Sequence, residues 1–215
     1  MDLLNIYNFM NKKLMMDKTG HGISHIKRVE NIAKKIASEE KIQNKEWEII
    51  QACVYLHDII DDKVTKNMDL AKKEVIDILK ESNTKEKEIE MIMYIINNMS
   101  YSKNLKKKIT LNKIGQIVQD ADRIDALGAV GISRAFYYGG SKGHSMYNDN
   151  KARPINELNE DNYRNNSSVI NHFYEKLLVL HTTMNTEEGK KIAYQRTETM
   201  KEFLEKFKNE VEGNL

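Results

Sequence analysis

Cysteine and proline each occur once in the 215 residues. The lone Cys53 excludes a disulfide scaffold within the chain, and with it any zinc site that needs two or more thiolates. It lies in the apolar run QACVYL, where a buried, inert thiol is expected. Pro154 is the only proline, so no proline break interrupts a helix elsewhere. Long hydrophobic runs are missing too: no stretch approaches the roughly 18 apolar residues that span a bilayer. The N-terminus, MDLLNIYNFMNKK, lacks the order of basic region, apolar core and small-residue cleavage site of a signal peptide. An excess of one charge is also absent. Lysine plus arginine number 34 against 32 acidic residues, mixed along the chain, for a net charge of +2. That balance gives no case for a nucleic acid duplex or an anionic membrane as partner. The basic run KNLKKK, 103–108, reads as a solvated turn. The expectation is a cytoplasmic protein, monomer or homodimer.

What is present is a globular composition, 40% hydrophobic and 31% charged, in a chain long enough for a sizeable core. Strand signals are few, and apolar residues recur at helical spacing. In SHIKRVENIAKKIASEE, Val29, Ile32, Ala33, Ile36 and Ala37 share one face, with Ser24 expected as N-cap. EWEIIQACVYLHDII and MDLAKKEVIDILKE continue the pattern. Asn83 to Glu86 has capping-box spacing and is expected to open a helix running to about Asn98. LNKIGQIVQDADRIDALGAVGISRAFYY holds two helices with a break near Gly128, and its small residues Ala126, Gly128, Ala129 and Gly131 allow close helix approach. Periodicity is lost over 139–166, a polar stretch expected to be a binding loop or lid. Ser167 and Thr186 are expected to cap the last two helices. The fold class expected is all-α: a helical core over 1–138, the long loop 139–166, and C-terminal helices over 167–215 packed on the core in one compact domain.

Within this frame the stretch YLHDIIDDK, residues 55–63, crowds a histidine and three carboxylates into six positions. Metal sites need nitrogen and oxygen ligands converging from separate elements. Two neutral imidazoles with carboxylates suit a borderline divalent ion such as manganese, iron, cobalt, nickel or zinc. Helical phase makes His25, the adjacent His57 and Asp58, and one of Asp120, Asp122 and Asp125 candidates to meet. Consecutive helical residues point about 100° apart, so His57 and Asp58 can both ligate only where they flank a cavity at a helix end. If the helix continues past Asp58, Asp61 returns to the face of His57 and Asp62 to that of Asp58.

The ordered set GHGISHIKRV, YLHDIIDDK, NMSYS, IVQDADRIDALGAVGISRAFYYGG and HFYEKLL resembles the HD-domain metal-dependent phosphohydrolases, whose pattern is H…HD…D on a helical bundle. It is similar in particular to a bacterial subgroup of small HD hydrolases that act as nucleotide pyrophosphohydrolases. The likeness covers most of residues 15–205. It implies His25, His57, Asp58 and Asp122 as ligands of one divalent ion per site, manganese in the first instance, with iron, cobalt, nickel, zinc or magnesium as alternatives. Such a ligand set leaves positions for a phosphate oxygen and a water. Asp61, Asp62 and Lys63 are the candidate catalytic residues: a carboxylate to orient or deprotonate water, a lysine to hold phosphate or to pair with the aspartates. His21, Arg28 and Arg123 are the candidate substrate-binding residues; Arg123 has the alternative of holding Asp122 or Asp125 in place. Asp120 and Asp125 read as network residues, His172 as a partly buried structural histidine and His181 as surface.

The reaction implied is hydrolysis of a nucleoside triphosphate, including a deoxynucleotide, to monophosphate and pyrophosphate. A 5′-nucleotidase or cyclic-nucleotide phosphodiesterase would use the same centre with another pocket. HDIIDD also resembles the HDxxED pattern of guanosine tetraphosphate hydrolases, with Asp61 in place of the glutamate. A non-catalytic nucleotide sensor is the rival from another class.

Overall fold

The computed structural model describes residues 1–16, 20, 22–61, 64–101, 104, 109–154, 157 and 168–214. Every regular element among them is helical, so the fold is all-α. The chain divides into two compact units, Met1–Ala121 and Asp122–Leu215.

The first unit is built around α3 (Asn44–Leu56), whose last residues Ala52 to Leu56 are all buried. A helix buried on every side must be enclosed by others. Here α1 (Leu3–Leu14), α2 (Ile23–Glu39) and α5 (Glu86–Asn98) pack on it. The helix α4 (Met68–Glu81) lies against α1 and α5. Expected and observed ends differ in instructive ways. The N-terminal α1 was not among the expected helices; Asp2 caps it by accepting from Asn5 N at 3.1 Å, and Ile6, Met10 and Leu14 form its buried stripe. The cap of α2 is Gly22, not Ser24, which lies inside the first turn. Asn83 is not the cap of α5: it takes a left-handed φ of 54°, and Lys85 opens the helix with its N–H donating to Glu88 Oε2. Short polar residues suit both a cap and a left-handed turn, so their presence alone does not separate the two.

The helix α6 (Lys113–Asp125) begins in the first unit and ends in the second, the division falling between Ala121 and Asp122. In the second unit the chain breaks at Ala126 and Leu127 and restarts as α7 (Gly128–Ser141), with φ of 71° at Gly128. The expected break is there, and so is the close approach. A Cβ on Gly128 would lie 3.1 Å from Arg196 Cγ on the final helix α10 (Glu187–Val211), and one on Gly131 would collide with the Ala126 carbonyl.

Residues 168–183 form one composite helical run. Ser168 caps α8 (Val169–His172) by accepting from Asn171 N; Ser167, the expected cap, lies outside the described residues. A π-helical turn (Phe173–Leu177), α9 (Leu178–Leu180) and a 3-10 turn (His181–Thr183) follow. Thr186 caps α10 as expected, accepting from Gly189 N. The core of this unit is aromatic. Phe136, Phe173, Phe203 and Phe207 sit with ring centroids 5.8 to 6.2 Å apart, and Phe173 is wholly buried. Arg153 ties the preceding loop to the π turn. Its backbone N–H, Nε and NH2 all donate to Glu175, a carboxylate 2% exposed.

Candidate metal centre

The α-helix carrying YLHDIIDDK stops at Leu56, and His57–Ile60 form a 3-10 turn. Tightening to three residues per turn re-aims the two side chains, so His57 and Asp58 face one point although they are adjacent. The turn also ends the helical phase. Asp61 is extended (φ −85°, ψ 140°), and the expectation that it returns to the face of His57 one α-turn on is corrected. The carbonyl of Asp58 accepts from Asp61 N at 3.1 Å, and Asp61's own carbonyl accepts from Val64 N and Thr65 N at 3.0 Å.

His25 enters from the first turn of α2, its N–H donating to the Gly22 carbonyl at 2.9 Å. His25, His57 and Asp58 are 1%, 7% and 3% exposed. Their polar atoms close a triangle. His25 Nε2 lies 3.3 Å from His57 Nε2 and 3.2 Å from Asp58 Oδ2, and His57 Nε2 lies 3.4 Å from Asp58 Oδ1. His57 Nδ1 is 2.8 Å from the Val54 carbonyl. A carbonyl only accepts, so Nδ1 carries the proton and Nε2 presents its lone pair to the triangle. A metal-binding imidazole is held in this way by its remote nitrogen. Ligands about 2.0–2.2 Å from a common ion stand about 3.0–3.5 Å apart, and the observed edges lie in that range. The donor set of two imidazoles and a carboxylate suits a borderline divalent cation. Among the described residues, this is the one group of three or more such side chains that could hold a metal ion.

A hydrogen-bonded tie holds the two helices that deliver the histidines. Glu30 on α2 accepts from Tyr55 OH at 2.6 Å and from Gln51 Nε2 at 2.8 Å, both on α3. Burial first, then the hydrogen bond and charge of Glu30, push the Tyr55 phenol well above its ordinary range, so it stays a donor. Sequence reasoning missed this tie. Its only signal was the i,i+4 spacing of Gln51 and Tyr55 on one helix face. Cys53 lies between them, fully buried, its thiol pushed up by burial and so unreactive, as its apolar neighbours suggested.

Of the other candidates, Arg28 is half-buried on α2, three residues after His25. His21, Asp62 and Lys63 lie outside the described residues, as does the run 103–108 apart from Asn104. Asp122 is the first residue of the second unit and is half-buried. Its neighbour Arg123 is 7% exposed and donates from NH1 to the Thr183 carbonyl at 2.9 Å. Asp125 is fully buried and paired with Arg134 at 2.6 Å, the network role expected of it. His181 Nδ1 donates to the Leu178 carbonyl. Tyr147, in the long loop, packs edge-on against Phe207 at 5.8 Å.

Comparison with known proteins identifies the family. The HD domain model matches residues 22–127, which include His25, His57, Asp58 and Asp122. The chain is 33% identical over 198 residues to YpgQ of Bacillus subtilis (strain 168), covering 92% of this chain and 87% of that protein. The crystal structure of YpgQ in complex with ADP superposes with a TM-score of 0.75 at 30% identity, over 98% of this chain and 97% of that one. A Lactobacillus plantarum protein of known structure gives a TM-score of 0.88 at 36% identity, over 99% and 98% of the two chains. An HD-superfamily hydrolase from Bacillus thuringiensis gives 0.73 at 35% identity, over 98% and 96%. No helix among the described residues is long and apolar enough to cross a membrane. With a buried triangle of metal-binding donors in an all-α frame, and relatives matched along nearly the whole chain, this protein belongs to the HD-domain phosphohydrolase superfamily.

Proposed function

We propose that this protein is a nucleotide pyrophosphohydrolase that converts a nucleoside triphosphate, deoxynucleotides included, to monophosphate and pyrophosphate. The observation that carries the reading is the buried triangle of His25, His57 and Asp58, whose edges of 3.2 to 3.4 Å suit one divalent ion. Nucleotide as substrate is supported by the ADP held in the similar YpgQ structure. Pyrophosphate as product is supported by the subgroup resemblance of the motifs around His25, His57 and Asp122.

His25 and His57 present Nε2, and Asp58 its carboxylate, to hold the ion; Asp122 is proposed as the fourth ligand on the sequence pattern. When bound, a divalent ion such as manganese supplies Lewis acidity towards a phosphoryl oxygen and lowers the pKa of a coordinated water. The Val54 carbonyl keeps the His57 proton on Nδ1 throughout. Asp61, three residues past Asp58 at the end of the 3-10 turn, is the proposed general base, with Asp62 as the alternative. Lys63, Arg28, His21 and Arg123 are proposed to bind the phosphates, supported by their charge and their place within the motifs.

A panel of nucleoside tri-, di- and monophosphates and cyclic nucleotides, each assayed with manganese, magnesium, cobalt, nickel, iron and zinc, tests this. Pyrophosphate release from triphosphates is expected, with His57→Ala inactive. Orthophosphate release from monophosphates alone would replace the reading by a 5′-nucleotidase. Turnover of cyclic nucleotides alone would replace it by a phosphodiesterase.

A further inference from the structure

The last turn of α6 carries Asp122, and just past it Ala126 N donates to the Arg123 carbonyl at 3.2 Å and Leu127 N to the Ile124 carbonyl at 3.0 Å. In the second unit two guanidinium groups take up that end. Arg196, from the middle of α10, donates from NH1 to the Ile124 carbonyl at 2.9 Å. Arg134, from α7, donates from NH1 to the buried Asp125 Oδ2 at 2.6 Å and lies 3.4 Å from the Asp125 carbonyl. The stem of Arg196 packs against Gly128, where an added Cβ would come within 3.1 Å of its Cγ. Positive charge at a helix C-terminus is also favoured by the helix dipole. Arg134 comes from the next helix, 9 residues from Asp125, and Arg196 from 72 residues beyond Ile124. The helix end is therefore held by side chains of α7 and α10 in addition to its own closing backbone bonds.

We propose that Arg196 and Arg134 are positioning residues for Asp122, so that the final helix α10 contributes to metal affinity without supplying a ligand. This rests on the proposed function, which makes Asp122 a ligand. Both arginines hold residues two and three places beyond Asp122 in the same turn. Releasing that turn lets the carboxylate sample arrangements that do not ligate, and affinity falls by the fraction of time lost.

Manganese titration by isothermal calorimetry on the full chain tests it, with circular dichroism to confirm folding. Arg196→Gln is expected to weaken binding about 10-fold, at the low end of the effect of losing a partner that orients a ligand, and Arg196→Lys to restore part of the loss. The discriminating measurement is a double-mutant cycle. In an Asp122→Asn background, Arg196→Gln should produce no further loss, because the residue it positions no longer ligates. Equal losses in both backgrounds would mean a general structural role and overturn the proposal, as would wild-type affinity in Arg196→Gln. If Arg196→Gln does not fold, Arg134→Lys in the same cycle decides by the same criteria. Wild-type chain that binds no manganese, or Asp122→Asn that binds as wild type does, would instead overturn the ligand assignment, and this inference with it.

Discussion

Replacing Asp58 by asparagine keeps the shape of the buried side chain and removes its charge. Asp58 is 3% exposed, with one carboxylate oxygen facing each histidine at 3.2 and 3.4 Å. A carboxylate in that place is costly to desolvate unless a cation compensates it. The variant is therefore expected to be at least as stable as the wild type in EDTA, and much less able to bind a cation. Bound metal stabilises the folded state by RT ln(1 + [M]/Kd), about 2.7 kcal/mol at a hundred times Kd. For a chain of this size that raises Tm by roughly 5–10 °C, at about 2–4 °C per kcal/mol. Losing a ligand should weaken binding by at least the ~100-fold that losing an orienting partner can cost. At the same metal concentration the stabilisation then falls to about 0.4 kcal/mol, a rise of roughly 1–2 °C. Thermal melts followed by circular dichroism, with manganese and with EDTA, measure both quantities. An Asp58→Asn protein with the full metal-induced rise would refute the assignment of Asp58 as a ligand. One that melts far below the wild type in EDTA would refute the claim that its charge is costly without a cation.

Phe173 is completely buried among Phe136 and Phe203, so Phe173→Ala should destabilise the second unit by about 3–5 kcal/mol in urea unfolding; a loss under 1 kcal/mol would mean that the aromatic cluster is not its core. Tyr55→Phe removes a donor from the Glu30 carboxylate and should cost about 1.5–3 kcal/mol, the range for a hydrogen bond to a charged group. A change within error would show that solvent replaces the tie. Cys53 is fully buried with its thiol pushed up from an ordinary 9.0, so the folded state keeps a proton that the unfolded chain loses. Stability is therefore whole below about pH 9 and falls as pH rises above it, by about 2 kcal/mol at pH 10.5 from this group. Cys53→Ala should flatten that fall between pH 8 and 11, and parallel stability curves for the two proteins would exclude the thiol as its source.

Much of the architecture could be read along the chain because a helix with one buried face writes its period into local sequence. Val29 to Ala37 on α2, the break at Gly128 and the Thr186 cap all depend on residues within a few positions of one another. Sequence and structure part where one residue type serves two local purposes, as at Asn83, or where the cap lies two residues away, as at Gly22. The π turn at Phe173–Leu177 had no sequence signal and interrupts what reads as one continuous helix.

By itself the sequence determined the helical class, the inert role of Cys53 and the residue types from which a divalent-ion centre could be made. It could also place His57 and Asp58 at the end of an apolar helix. Only the tertiary structure decided that they converge, because convergence depends on a 3-10 turn after Leu56 and on α2 bringing His25 from 32 residues away. The Glu30–Tyr55 tie and the arginines that hold the end of α6 belong to the same category. Local periodicity specifies which face a helix buries. Which helix end meets which is settled by packing between segments far apart in sequence, and no window of neighbouring residues contains that information.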